Sequence, residues 1–352
     1  MAYVADTYIA KIDTEHPDPV VMALAGQVIR DGGLVAFPTE TVYGLGANAL
    51  SADAAQHIFE AKQRPSNDPL IVHIEKLEQL EQIAQNIPDV AYKLAEKFWA
   101  GALTLILPKH DDVPSLITAG QDTVAVRMPQ HIVAQSLLKE AGVPIAAPSA
   151  NRFSRPSPTS AQHVMNDLNG HVDIILDGGT TSIGVESTIL DVTGNVPTVL
   201  RPGGITLEAL REVLPTLVYR PRHILEGETA PAPGTLLKHY SPDATVTMYT
   251  GDHKDVVARM RQDAIDIEGN GQQVAILALD EDADEFYDTT AQIMVLGRNY
   301  DAMASHLFAG LRELDNAGID VILVRAPEQV GVGVALYDRL MRAAEGQVVE
   351  VE

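Results

Sequence analysis

Cysteine is absent from the 352-residue sequence. That excludes a disulfide scaffold, Cys-ligated zinc, iron–sulfur clusters and thiol nucleophiles together. Basic residues are scarce: 25 Lys and Arg face 48 Asp and Glu, a formal charge of −23. So acidic a chain is a poor candidate for tight, non-specific binding to nucleic acid or for docking on an anionic membrane. No apolar run approaches about 18 residues, so no transmembrane helix is expected. The start, MAYVADTYIAKIDTEHPDP, lacks the basic first segment and long apolar core of a signal peptide. The expectation is a cytoplasmic protein.

Familiar chemical motifs are missing as well. There is no G-x-x-x-x-G-K-[ST] phosphate loop, no H-E-x-x-H and no G-x-S-x-G, and the 11 His show no ligand spacing. No resident metal is expected. Gly44-Leu45-Gly46-Ala47-Asn48-Ala49 matches a dinucleotide fingerprint in letters only. The polar stretch Thr39-Glu40-Thr41 separates it from the preceding strand, and Asp68, about 20 residues on, does not end a second strand.

What is present is a chain with 46% hydrophobic residues and enough length for two domains. Strand candidates are dense up to residue 200: Leu34–Pro38, Pro69–Ile74, Leu103–Leu107, Thr123–Met128, Val143–Ala147, Val172–Leu176, Ser187–Val192 and Thr198–Leu200. Helical spacing marks Val20–Arg30, Ser51–Lys62, Leu77–Gln85, Val90–Trp99, Ile132–Glu140, Ser160–Leu168 and Leu207–Leu214. The mixture predicts an α/β domain with a large mixed sheet over 1–214. Residues 215–242 carry five prolines and read as a stiff linker. Regular strand–helix alternation over 243–352 predicts a smaller, doubly wound parallel sheet. This last part holds 21 acidic and 8 basic residues, more than half of the charge excess.

Five segments carry polar residues where buried strands end. In Lys62-Gln63-Arg64-Pro65-Ser66-Asn67-Asp68, two cations at i and i+2 point the same way if the segment is extended and so converge on one anion. Helix-end cations exposed to solvent are the plainer alternative. Pro148-Ser149-Ala150-Asn151-Arg152-Phe153-Ser154-Arg155-Pro156-Ser157-Pro158-Thr159 follows the apolar run VPIAA and offers small donors around a ligand, or forms a turn with Thr159 as a helix cap. Gly178 to Ile189 supplies glycines and hydroxyls for a close approach to a ligand, or a hairpin between two strands. Arg201 ends a strand before Pro202-Gly203-Gly204, and Pro38 to Gly46 places Thr41 after a buried strand. Thr123 and Arg127 share one strand face. An Arg among apolar strand residues needs an anionic partner, either a buried carboxylate of the protein or one of a substrate. Together the segments suit a small polyanion, most simply a nucleotide, with no covalent nucleophile.

These stretches, PTETVYGLG, KQRPSNDPLIVHI, TVAVRMP, APSANRFSRPSPT, GVESTILD and LRPGGIT, resemble the YrdC-domain family in the same order. With the linker and second domain, the chain resembles the family's long, two-domain form. The resemblance implies synthesis of threonylcarbamoyl-adenylate and pyrophosphate from L-threonine, bicarbonate or CO2, and ATP, with Mg2+ arriving on the ATP. It implies delivery of the product to a tRNA threonylcarbamoyl-transferase machinery that modifies tRNA next to the anticodon. By the same resemblance, Lys62 and Arg64 are the catalytic cations. Arg64, Asp68, Thr123, Ser149, Asn151, Ser157, Arg201, His239 and Tyr240 contact ATP. Thr41, His73, Arg127, Ala147 and Ser187 form the threonine pocket, with Arg127 on the threonine carboxylate and Ala147 acting through its backbone. The linker, through Pro233-Gly234 and Lys238-His239-Tyr240-Ser241-Pro242, is implied to cover the site, although Leu236 and Leu237 stand where the family often has a basic residue and Tyr. A hydrogenase-maturation carbamoyltransferase, which also holds a YrdC domain, is excluded by the absence of Cys pairs. An RNA-binding module is disfavoured by the charge, so direct tRNA binding is expected to be weak or absent.

Overall fold

The computed structural model describes residues 6–221, 230, 232–235 and 240–352. The chain divides into two compact units, one of Met1–Phe153 and Ser157–Thr235, the other of Ser154–Pro156 and Leu236–Glu352.

The first unit is built on eleven strands: β1 (Tyr8–Lys11), β2 (Val35–Pro38), β3 (Tyr43–Asn48), β4 (Ile71–His73), β5 (Leu103–Pro108), β6 (Thr123–Arg127), β7 (Ile145–Ala146), β8 (Ile174–Asp177), β9 (Thr188–Asp191), β10 (Thr198–Arg201) and β11 (Val218–Tyr219). They form one mixed sheet in the order β1-β8-β2-β3-β7-β4-β6-β5-β9-β10-β11. The helices Pro19–Arg30 and Ile132–Ala141 pack together over part of it, burying Met22, Ile29, Leu137 and Leu138 against Val35, Phe37 and Ile174. A smaller cluster of Ile71, Ile106, Ala125, Ile189 and Ala232 lies under the strands that matter most below.

Four features depart from the sequence reading. Tyr43–Asn48, to which the sequence reading gives no element, is a strand paired antiparallel to β2 with Val35 opposite Gly46 and Pro38 opposite Tyr43. Its glycines are packing residues: a Cβ on Gly46 would lie 2.8 Å from Ile145 Cγ2 and 2.9 Å from Phe37 Cε1. That pairing also disposes of the dinucleotide fingerprint, whose glycines belong to a strand-to-helix turn. The Gly178–Ile189 segment is not a hairpin, because β8 pairs with β1 and β2 while β9 pairs with β5 and β10. Ser160, not Thr159, caps the helix Ala161–Leu168, its hydroxyl accepting from the His163 N–H. Finally, Leu77–Gln85 is a short 3-10 turn, Leu77–Gln79, followed by one helical turn, Leu80–Ile83.

The second unit holds five parallel strands: β12 (Thr245–Thr250), β13 (Val274–Ala278), β14 (Gln292–Val295), β15 (Val321–Arg325) and β16 (Val348–Glu350), in the order β14-β13-β15-β12-β16. The helices His253–Gly269, Tyr300–Asn316 and Gly333–Ala343 connect them. Asp252 and Asn299 cap the first two. Parallel strands covered in this way read as near-continuous apolar runs, as Val274–Ala278 does. Among the described residues no helix is long and apolar enough to cross a membrane. Of the stretch 215–242, residues 222–229, 231 and 236–239 lie outside the described residues, and with them His239, Leu236 and Leu237.

Candidate active site

Five adjacent strands of the first unit carry one row of residues in register. His73 of β4 lies opposite Arg127 of β6, and Arg127 opposite Thr104 of β5. Thr104 is opposite Ile189 of β9, and Ile189 opposite Arg201 of β10, past a shift of register at Val199/Arg201. Residues so paired are near neighbours across the sheet. The row thus brings two arginines, a histidine and a hydroxyl into one line, and all four side chains are buried.

At one end stands Arg127, 3% exposed. Its Nε–H donates to the Gly101 carbonyl at 3.1 Å, Nη1 to Thr41 Oγ1 at 2.9 Å, and Nη2 to Glu40 Oε1. Of the two partners that the sequence left open, the structure shows the carboxylate of the protein, that of Glu40. Glu40 Oε2 accepts the Gln130 N–H at 3.0 Å. Burial works to raise the Glu40 pKa, but the charge and hydrogen bond of Arg127 hold it below the usual carboxylate value. The glycine segment fixes the turn that carries these groups, with Ile183 N–H donating to the Glu40 carbonyl at 2.9 Å and Gly184 N–H to that of Thr41 at 3.1 Å.

His73 is next to Arg127 and edge-on to Phe37, ring centroids 6.1 Å apart. Burial first, and then the charge of Arg127, pushes its pKa down to about 3, so the ring is neutral near pH 7. Its Nδ1 has no hydrogen-bond partner among the described residues. Ala147 lies beside this end, its N–H donating to the Ile71 carbonyl at 2.9 Å.

At the other end three cations gather around Asp68. Arg64 pairs with it at 2.9 Å and donates to the Pro69 carbonyl at 2.8 Å. Burial pushes the Asp68 carboxyl up, opposed by the charges of Arg64, Lys62 and Arg201. Arg201 donates from Nη2 to the Ser187 carbonyl at 2.9 Å and from Nη1 to the Pro233 carbonyl at 3.0 Å. Lys62 is buried and donates to the carbonyls of Ser149 and Asn151. The geometry that brings Lys62 and Arg64 together differs from the one expected. Lys62 is the last residue of the helix Ala52–Lys62, and Gln63 turns into the left-handed region at φ 53°, so the segment is not extended. The helix end, and not an i, i+2 alternation, directs the two cations.

Ser187 joins the two ends. Its hydroxyl lies 2.8 Å from Thr104 Oγ1 and 3.3 Å from Arg201 Nη2. The Ser149 hydroxyl donates to Asn151 Oδ1 at 2.5 Å. Ser157, fully buried, donates to Glu186 Oε1. Thr123 begins β6, lining a small cavity with Pro69, Gln121, Ala232 and Pro233. Tyr240 belongs to the second unit, where its ring stacks on Phe308 at 5.3 Å and lies under Arg339. Arg152 and Arg155 are engaged elsewhere: Arg152 with Asp167, Arg155 with Asp243 and Asp315.

Sequence reasoning missed Glu40, Thr104 and Glu186 as site residues. Glu40 was legible as the acid of PTETVYG, the turn that also supplies Thr41. Thr104 was legible as the one polar residue of LTLILP.

A family model for Sua5, YciO and YrdC proteins, described as "Telomere recombination", matches residues 27–203. A second, described as "Threonylcarbamoyl-AMP synthase, C-terminal domain", matches residues 205–345. The threonylcarbamoyl-AMP synthase of Pyrococcus abyssi is 45% identical over 330 residues, covering 93% of this chain and 95% of that protein. The Bacillus subtilis protein of the same name is 42% identical over 338 residues, covering 94% and 95%. The crystal structure of P. abyssi Sua5 complexed with L-threonine superposes with a TM-score of 0.92 at 43% identity, covering 98% of this chain and 100% of that one. The chain belongs to the threonylcarbamoyl-AMP synthase family, ATP-using enzymes of nucleotidyl transfer.

Proposed function

We propose that this chain joins L-threonine, bicarbonate or CO2, and ATP into threonylcarbamoyl-AMP with release of pyrophosphate. The observation that carries the reading is the row from His73 to Arg201, with a charge-balanced Arg127–Glu40 pair at one end and three cations around a single Asp68 at the other. The first end suits a zwitterionic amino acid, which brings no net charge. The second keeps a positive excess and suits a polyphosphate.

In this reading Thr41, His73, Arg127, Ala147 and Ser187 hold threonine. Arg64, Asp68, Thr123, Ser149, Asn151, Ser157 and Arg201 hold ATP, joined by His239 and Tyr240 from the end of the linker. The threonine ammonium gives up a proton to solvent, the free amine takes up CO2 as a carbamate with loss of a second proton, and a carbamate oxygen then attacks the α-phosphorus as the bond to the bridging oxygen breaks and pyrophosphate leaves. No side chain forms a bond to substrate. Lys62 and Arg64 neutralise the charge that builds on the leaving pyrophosphate, and Ser187 sets the distance between the halves. Mg2+ enters with ATP and is held mainly by its phosphates.

We read 1–214 as the catalytic domain, 215–242 as its cover and 243–352 as a Rossmann-like domain. The cover is supported by the Pro233 carbonyl on Arg201 and by the Ala230 N–H on the Asn67 carbonyl at 3.2 Å. The product passes to the machinery that transfers the threonylcarbamoyl group to tRNA, in the cytoplasm, and the acidic surface keeps this chain itself from binding tRNA tightly.

The test is pyrophosphate release from ATP by the purified chain. Release that requires both threonine and bicarbonate, and falls away with serine, supports the reading, and release indifferent to threonine overturns it. Arg127→Ala is expected to raise the KM for threonine at least tenfold while nucleotide affinity stays within about twofold, as loss of a charge-assisted carboxylate contact would do.

A further inference from the structure

We propose that Glu40 is a positioning residue for threonine binding, acting through Arg127; the inference rests on the reading that this end of the row holds threonine. A guanidinium has five N–H groups in a fixed plane. Three of those on Arg127 are taken, Nε–H by the Gly101 carbonyl, one on Nη1 by Thr41 and one on Nη2 by Glu40. The count leaves one N–H on each terminal nitrogen, the number that a carboxylate accepts side by side.

Glu40 is itself held from several directions. Its Oε2 accepts the Gln130 N–H at 3.0 Å, and its carbonyl accepts from Ile183 N–H at 2.9 Å and from the Ser182 hydroxyl at 3.2 Å. It is 6% exposed, and Arg127 3%. The segment after β6 thus holds the Glu40 carboxylate and the glycine segment before β9 holds its backbone carbonyl, so the β2–β3 turn presents the carboxylate to Arg127 from a fixed position. Thr41, next in sequence, fixes the other terminal nitrogen. The pair also cancels charge, so the pocket admits an amino acid that carries both its ammonium and its carboxylate.

The experiment is steady-state kinetics and calorimetric nucleotide binding on the full chain, with wild type, Glu40→Ala, Glu40→Gln, Arg127→Met and the double variant Glu40→Ala/Arg127→Met. Glu40→Ala is expected to raise the threonine KM at least tenfold, and Glu40→Gln, which keeps an acceptor, by a smaller factor of about three or more. The nucleotide Kd stays within twofold in both. Because the effect passes through Arg127, the double variant matches Arg127→Met within twofold. A threonine KM within twofold of wild type in a folded Glu40 variant overturns the proposal. So does a parallel loss of threonine and nucleotide binding, or an additive loss in the double variant. If Glu40→Ala does not fold, Glu40→Gln carries the same test. A wild-type chain that shows no threonine-dependent turnover refutes the functional reading instead, which separates the two failures.

Discussion

Two buried residues, His73 and Glu40, give the site its pH behaviour. The folded-state pKa of His73 lies near 3, against about 6.5 in an unfolded chain. Between those values the unfolded state binds a proton that the folded state refuses. The stability this contributes is present above about pH 6.5 and is lost as pH falls toward 3, by up to about 1.4 kcal/mol per unit. Glu40 acts in the same sense: its pKa is lowered in the fold, so its contribution is lost as pH falls through the folded value. Denaturant titrations at pH 7, 6 and 5 are therefore expected to show falling stability, and His73→Phe to flatten the slope. An unchanged slope in that variant would contradict the burial argument. Arg127 also marks how far single residues could be read. That a buried Arg needs a carboxylate followed from its strand; that the carboxylate is Glu40 did not, because a contact 87 residues apart is written in no local pattern.

Elements were legible where local signals agreed. The helices Pro19–Arg30, Ala52–Lys62 and Ile132–Ala141 lie where spacing and caps put them, and the apolar runs of β2, β5, β6 and β13 are strands. The strand β3 was missed because Gly44 and Gly46 lower β propensity, and their reason for being glycine lies across the sheet. The edge strands β1, β11 and β16 are short and mostly not buried, so they carry no apolar run of the kind that marks β2. The packing argument for Gly46 is open to measurement. Gly46→Val places carbon against Ile145 and Phe37 and is expected to cost about 1–3 kcal/mol or more in denaturant unfolding. Gly194→Ala, where an added Cβ meets nothing within 4 Å, is expected to stay within about 0.5 kcal/mol. Equal stability of the two variants would show that β3 does not pack as described.

For the whole molecule, the net charge of −23 describes the exterior and the site separately. The cations of the first unit that matter, Lys62, Arg64, Arg127 and Arg201, are buried. The residues 243–352 carry 21 acids against 8 bases. A large mixed sheet followed by a second, parallel sheet was legible from periodicity. The row across β4, β6, β5, β9 and β10 was not, since it joins residues from 73 to 201 by sheet order alone. That row carries the central claim, that one end holds an amino acid and the other a triphosphate, with a one-carbon unit joining them. Incubation with labelled bicarbonate, threonine and ATP tests it most directly. The account predicts that the label appears in an adenylated threonine species in equal amount to the pyrophosphate released. Pyrophosphate release with no bicarbonate carbon in the nucleotide product would contradict it.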